Sequence, residues 1–349
     1  MISGYFHRVT DETDTRLWIN NPTIKETEMA IAAGAISCTT NPSYSSRMIK
    51  SQSENAYVLE IIDSVIKETK DDCEAAGIIQ QKLVLRLLNK FLPLYDRKPN
   101  IEGFVSIQGD PYGDDNANHI INEVYQYQKL SKNFIIKIPV IKEGLLAIDV
   151  LVRKDIPIIA TEVMAISQAV EACEVYKNAC KESGKHPAFY LTHITGIFDE
   201  YLANVVKRDG VEISPEILFK AGTIIAHKQY KLVKERGYNV TMLGGGARGL
   251  HHFSEMVGGN MHITINWSTA KELIDLDPQV VSHIEDQELQ AVIDELCEKL
   301  ADFRKAYLDD GMTIAEFRDF GPVNHFRNMF VSGWDHLSET VRERRTMTL

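Results

Sequence analysis

Short apolar runs alternate with longer amphipathic stretches along the whole chain. The runs are Arg16–Asn20 (RLWIN), Ala35–Thr40 (AISCTT), Gly103–Gln108 (GFVSIQ), Phe134–Ile138 (FIIKI), Ile156–Thr161 (IPIIAT), Ala188–Thr192 (AFYLT), Val240–Gly244 (VTMLG) and Met261–Ile265 (MHITI). They are rich in β-branched and aromatic residues, as buried strands are. Between them, Thr23–Ala33, Asp115–Leu130, Glu143–Arg153 and Val163–Cys180 carry apolar residues at helical spacing. Eight such alternations predict an α/β fold, a (β/α)8 TIM barrel with parallel strands. Three regions exceed the minimal barrel. A charged helical insertion covers Ser51–Lys98, Phe198–Gly237 reads as two helices broken near Ser214-Pro215, and helices fill most of Glu285–Arg345.

Length and composition fit one unit. Barrels routinely run past about 250 residues as a single domain, and no Gly/Ser linker, low-complexity tract or short repeat interrupts the chain. Residues 1–349 are therefore read as one barrel domain. The barrel occupies about 15–284, the insertion about 51–98 and a C-terminal helical segment about 285–349. The net charge of −11 argues against general nucleic-acid binding, but a local arginine can still hold an anionic small molecule. Five cysteines without a CxxC pair read as free thiols. No apolar run reaches spanning length and the first residues lack a signal core, so a soluble, cytoplasmic protein without a membrane partner is expected.

The most informative segment is FIIKIPV. Strand alternation puts Ile135 and Lys137 on one face and Phe134, Ile136 and Ile138 on the other. Pro139 and the helix beginning near Glu143 place Lys137 at the C-terminal end of its strand, where barrel active sites lie. Burial favours the neutral amine and can lower a lysine pKa by roughly 3–5 units. A neutral amine attacks a ketone, and the iminium ion that results withdraws electrons while a neighbouring C–C bond breaks or forms. The bland alternative is a lysine snorkelling out of a strand end, and this strand alone does not separate the two.

The other strand ends do. AISCTTNPS, with Thr39–Pro42 as TTNP, resembles the second-strand signature of the transaldolase family, which includes the fructose-6-phosphate aldolases. FIIKIPVIKEGL resembles that family's lysine segment. IPIIATEVMAISQA is similar to its fifth strand and following helix, and TMLGGGARGLHHFSEMVGG to its phosphate-binding turn. The match in strand order and spacing runs from about Arg16 to Glu272. The resemblance implies a class I aldolase on a circularly permuted barrel that needs no metal or organic cofactor. It implies a sugar phosphate as substrate and a homodimer. The Schiff-base lysine falls on Lys137, the active-site threonine on Thr161 and the phosphate-binding arginine on Arg248. The sequence departs from the pattern at four places. Asn20 stands where the family has a catalytic aspartate, and Gln108 matches the glutamine of the aldolases rather than the glutamate of the transaldolases. Ile194 stands where the aldolases carry a proton-transferring tyrosine, and Ile197 near a second phosphate-contacting arginine.

The expected roles follow. Lys137 is the nucleophile, with Gln108 and Thr161 positioning a water for proton transfer. Asn20 and Asn41 hold hydroxyls of the three-carbon donor, with Thr39 beside them in the TTNP run and Thr192 facing inward from the sixth strand. Arg248 binds the distal anion, aided by backbone N–H groups that glycines such as Gly246 allow to converge. Asn41 also reads as a turn residue before Pro42, and Asn20 as part of an Asn-Asn-Pro turn. Gln108 and Thr161 equally suit a satisfied polar pair, and the glycines a tight loop. Asp110, Glu162, His193, His251 and His252 are further acid–base candidates. Alternation turns Glu162 and His193 away from the axis if Thr161 and Thr192 face it, while Asp110 can reach the mouth. His251-His252 has no third ligand at metal spacing, so no metal site is expected. Three activities stay open: transaldolase transfer of a dihydroxyacetone unit, simple aldolase cleavage, or sugar-phosphate binding without catalysis. Phe326, Met329, Phe330 and Trp334 lie at helical spacing and suit core packing, a cover for the mouth or an interface.

Overall fold

Each apolar run becomes a strand, and the strands pair in the order in which the chain makes them. In the computed structural model, which describes residues 4–348, these are β1 (Arg16–Asn20), β2 (Ser37–Thr39), β3 (Val105–Ile107), β4 (Phe134–Pro139), β5 (Ile158–Val163), β6 (Phe189–Ile194), β7 (Thr241–Gly245) and β8 (Met261–Ile265). All neighbours run parallel, and β1 pairs with β8 to close the barrel. The TIM-barrel expectation holds. The second and third strands are shorter than their apolar runs, while the fifth and sixth extend two residues further.

Alternation sorts the side chains into layers. Trp18, Phe104, Ile135, Ile159, Tyr190 and Leu243 point inward and pack on one another as a core of their own. Trp18 Nε1 donates to His262 Nδ1 at 2.9 Å, so the one polar pair in this layer is satisfied. Two residues further along β1, β4, β5 and β6 stand Asn20, Lys137, Thr161 and Thr192. The barrel is thus plugged by apolar groups at mid-height and polar at its C-terminal mouth. The intervening residues, such as Ile136, Ile138 and Leu191, face outward into the larger core beneath the helices.

Local chemistry fixes the helix starts. Thr23 Oγ1 accepts from Glu26 N at 3.2 Å and Glu26 Oε2 accepts from Thr23 N at 2.7 Å, a reciprocal cap for the helix Ile24–Ala32. Asp71 caps the insertion's long helix Asp72–Arg97 through Glu74 N. The region after β6 forms helices Thr195–Asp209 and Ala221–Glu235, with a single turn at Pro215–Leu218 where Pro sits at the start.

The last helix, Gly321–Thr348, matters most for the site. It packs on the helices that follow β2 and β6 and on the insertion, and it reaches β5. Ser43 Oγ donates to Met329 O at 3.1 Å, and Gly333 lies so close to Ser43 that a Cβ there would meet its Oγ at 2.5 Å. Phe326, Phe330 and Trp334 are buried and Met329 is partly exposed, so this apolar face covers the barrel mouth. No described helix is long and apolar enough to cross a membrane.

Candidate active site

Lys137 sits where the sequence puts it, at the inward face near the end of β4, 7% exposed. No hydrogen bond or ion pair holds its ammonium among the described residues, and the ring centroid of Phe330 lies 6.0 Å from Nζ. Burial pushes its pKa down to about 8, against an opposing pull from the Glu162 carboxylate. Roughly a tenth of the amine is then neutral at pH 7, roughly 300-fold more than in an ordinary lysine.

Around it runs a polar ring. Thr39 Oγ1 donates to Asn20 Oδ1 at 3.0 Å and lies 2.7 Å from Thr264 Oγ1. Asn20 Nδ2 donates to Asn266 Oδ1 at 3.0 Å, so β1, β2 and β8 are stitched together at the mouth. Asn41 is partly committed to the turn: its Oδ1 accepts from Ser43 N at 3.0 Å. Gln108 Oε1, Thr161 Oγ1 and Thr192 Oγ1 are buried without a hydrogen-bond partner among the described residues. These atoms belong to the same strand-end layer as Lys137 on β4, with Thr161 on β5, Thr192 on β6 and Gln108 just beyond β3, and can each take a hydrogen bond from a polar ligand.

One expectation is overturned here. Strand alternation turns Glu162 away from the axis, yet its Oε1 accepts from Gln108 Nε2 at 3.1 Å and its field acts on Lys137. The cause is an irregularity in β5. Ala160 pairs with Leu191 but Val163 with His193, so β5 spends one residue more than β6 over this interval. Such a bulge re-aims a side chain. Glu162 takes the odd position at φ +61°, a region that non-glycine residues rarely occupy. Only 2% of Glu162 is exposed, and burial raises its pKa to about 8, aided by the Asp114 carboxylate. The signal was available: an acid inside the apolar run IIATEVMA is as costly as the lysine of FIIKIPV. His193 does face outward, its Nε2 3.0 Å from Gly222 O.

Asp110 is engaged locally. Its Oδ1 accepts from Tyr112 N at 2.9 Å within its own turn. Asp114, which the sequence did not single out, is near enough to Glu162 for its carboxylate to help raise that residue's pKa. Arg327 of the last helix donates to Asp114 Oδ2 at 2.6 Å and to Pro111 O at 2.6 Å, clamping the loop after β3 to the cover. Arg47 was also missed; it donates to Asn266 Oδ1 at 3.4 Å and pairs with Glu26 at 3.3 Å.

The turn after β7 differs from the expected anion nest. The N–H groups of Arg248 and Gly249 converge, but on His252 Nδ1, at 3.0 and 3.1 Å. Gly246 has φ +69°, and a Cβ there would lie 2.7 Å from Ile194 Cγ2, so this tight turn requires glycine. Arg248 donates to Glu200 Oε2 at 2.6 Å, while His325 of the last helix takes the other oxygen at 2.9 Å. The guanidinium is exposed and touches Met329 Sδ at 4.0 Å.

A third metal-type ligand is also present, against expectation. Atoms of Asp199, His251 and His252 all lie within 4.8 Å of one another. Their hydrogen bonds nevertheless disfavour a cation. His252 Nδ1 accepts two N–H groups, so its proton is on Nε2 and is donated to Asp199 Oδ2 at 2.8 Å. Binding a metal at Nε2 would leave neither nitrogen of the neutral ring with its proton. The triad is a brace for the turn.

These features define a class: a closed parallel barrel with a buried lysine among polar groups at the C-terminal ends of its strands. The chain belongs to the transaldolase/fructose-6-phosphate aldolase family, whose model matches residues 17–319. A transaldolase of Helicobacter pylori strain Shi470 is 26% identical over 214 residues, 60% of this chain and 62% of that protein. The transaldolase of strain HPAG1 is 31% identical over 148 residues, 42% of this chain and 45% of that protein. The matched stretch thus spans about three fifths of the first relative's length and under half of the second's. Among solved structures, a 2,3-dimethylmalate lyase overlays 93% of this chain and 95% of its own at 12% identity and a TM-score of 0.29, too low to carry any argument.

Proposed function

We propose that this protein is a Schiff-base enzyme that transfers or cleaves a dihydroxyacetone unit of a ketose phosphate. The observation that carries the reading is Lys137, a buried amine with no ion-pair partner among the described residues, its pKa lowered to about 8 by burial, at the mouth of a barrel of this family. Its neutral form attacks the ketone carbon and the carbonyl oxygen leaves as water, giving an iminium ion. Asn20, Thr39 and Asn41 hold the donor's hydroxyls. Gln108 Oε1 and the hydroxyls of Thr161 and Thr192, which lack partners among the described residues, bind the water and the oxygen nearest the imine. Arg248 takes the distal phosphate in exchange for Glu200, and the Gly246 turn gives it room.

Incubation with fructose 6-phosphate, and separately with dihydroxyacetone, followed by borohydride, tests this. A mass adduct on Lys137 supports the lysine mechanism; no adduct from either compound refutes it. Gln108 favours a second reading, simple cleavage without an acceptor sugar. Product analysis with and without an added aldehyde separates transfer from cleavage.

A further inference from the structure

Cleaving a ketose through an iminium ion needs a base for the hydroxyl next to the breaking bond. The polar ring supplies none in the usual places. Asn20, Asn41 and Gln108 are amides, which do not accept a proton at neutral pH, and Ile194 and Ile197 are hydrocarbon.

We infer that Glu162 is this chain's own proton-transfer residue, delivered to the barrel mouth by the bulge in β5. The inference rests on the Schiff-base reading of Lys137. Four observations support it. The register of β5 slips by one residue between Ala160 and Val163, the two residues that enclose Thr161 and Glu162. Its backbone is held at φ +61° although it is not glycine, and such strain persists only where surrounding structure enforces it, commonly at functional sites. The carboxyl is buried and fixed by Gln108. The charged groups that act on it come from three elements: Lys137 on β4, Asp114 in the loop after β3, and Arg327 on the last helix. Gln108 takes on a definite task in this arrangement. Its Nε2 holds one carboxyl oxygen and leaves the other for substrate, while its own Oε1 stays unpaired. Burial also keeps the carboxyl able to both take and give a proton near neutral pH.

In the iminium formed at Lys137, the bond between C3 and C4 breaks and its electron pair moves into the iminium, giving a neutral enamine. The C4 hydroxyl proton passes to the Glu162 carboxylate, and the O–H electron pair becomes the new carbonyl bond of the released aldehyde. When an acceptor aldehyde enters, the enamine carbon attacks it and Glu162 returns the proton to the new alkoxide oxygen. Water then hydrolyses the iminium, restoring the ketone and the Lys137 amine.

The test uses two variants of the full chain. Glu162→Gln keeps the shape and removes the base. Dihydroxyacetone needs no C–C cleavage, so its borohydride adduct on Lys137 should still form. Cleavage of fructose 6-phosphate should fall at least about hundred-fold in kcat with KM little changed, and one limb of the pH–rate profile should vanish. Glu162→Gly suits φ +61°, so it should fold, and the space it opens should let added formate restore part of the lost rate. Glu162→Gln activity within about threefold of the parent with the same pH profile, or Glu162→Gly inactivity that formate does not relieve, overturns the assignment. A parent protein that gives no Lys137 adduct overturns the Schiff-base reading instead, and this inference with it.

Discussion

Replacing Lys137 by methionine should make the protein more stable while abolishing its activity. The comparison is cleanest in a Glu162→Gln background, where that carboxylate no longer titrates. Burial lowers the Lys137 pKa from 10.5 to about 8, and at about 1.4 kcal/mol per unit the folded state bears roughly 3 kcal/mol for carrying the amine at neutral pH. Removing Glu162 takes away only an opposing attraction and leaves that burden in place. The sign follows from proton counting. Between about pH 8 and 10.5 the unfolded chain binds a proton that the folded one does not, so stability of the lysine form rises with pH across that window. Methionine has a similar volume, and such swaps in packed sites cost less than about 1.5 kcal/mol. Urea unfolding should therefore show the methionine form ahead by roughly 2 kcal/mol at pH 7, with the advantage gone near pH 10.5. An advantage of equal size at both pH values, or none at pH 7, would refute the account of a desolvated amine.

Three further outcomes are expected. Arg248→Ala should raise KM for fructose 6-phosphate about 10- to 100-fold, the worth of a charge-assisted contact, while trapping of unphosphorylated dihydroxyacetone stays as it was; equal losses with both compounds would show that Arg248 shapes the mouth rather than binding phosphate. Arg327→Ala should destabilise the fold by about 3 kcal/mol in urea, because it strands the buried Asp114 carboxylate, and Asp114→Asn in the same chain should recover part of that. Zinc added at pH 7 should leave Tm unchanged; an increase that His251→Ala abolishes would contradict the proton placement on His252.

The barrel was legible because eight short apolar runs can be buried on both faces only in a parallel sheet flanked by helices. Lys137 was legible for the same reason: a charge in an apolar run stands out. Glu162 was misplaced because strict alternation assumes an unbroken strand, and nothing in IIATEV announces the extra residue that Ala160 and Val163 enclose. The His252 brace escaped because a glycine-rich run says that amides are free to converge, not on what. Asp114 and Arg327 were invisible for a topological reason. They lie far apart in sequence and meet only because the last helix crosses the mouth.

That crossing gives the chain an order of events. The barrel closes when β8 pairs with β1, and β8 ends at Ile265. Phe330 reaches its place over Lys137 only after the helix Gly321–Thr348 has left the ribosome and docked. Until then the apolar cover that Phe330 places by the lysine is missing. The surroundings of the amine are thus completed by an element far from it in sequence.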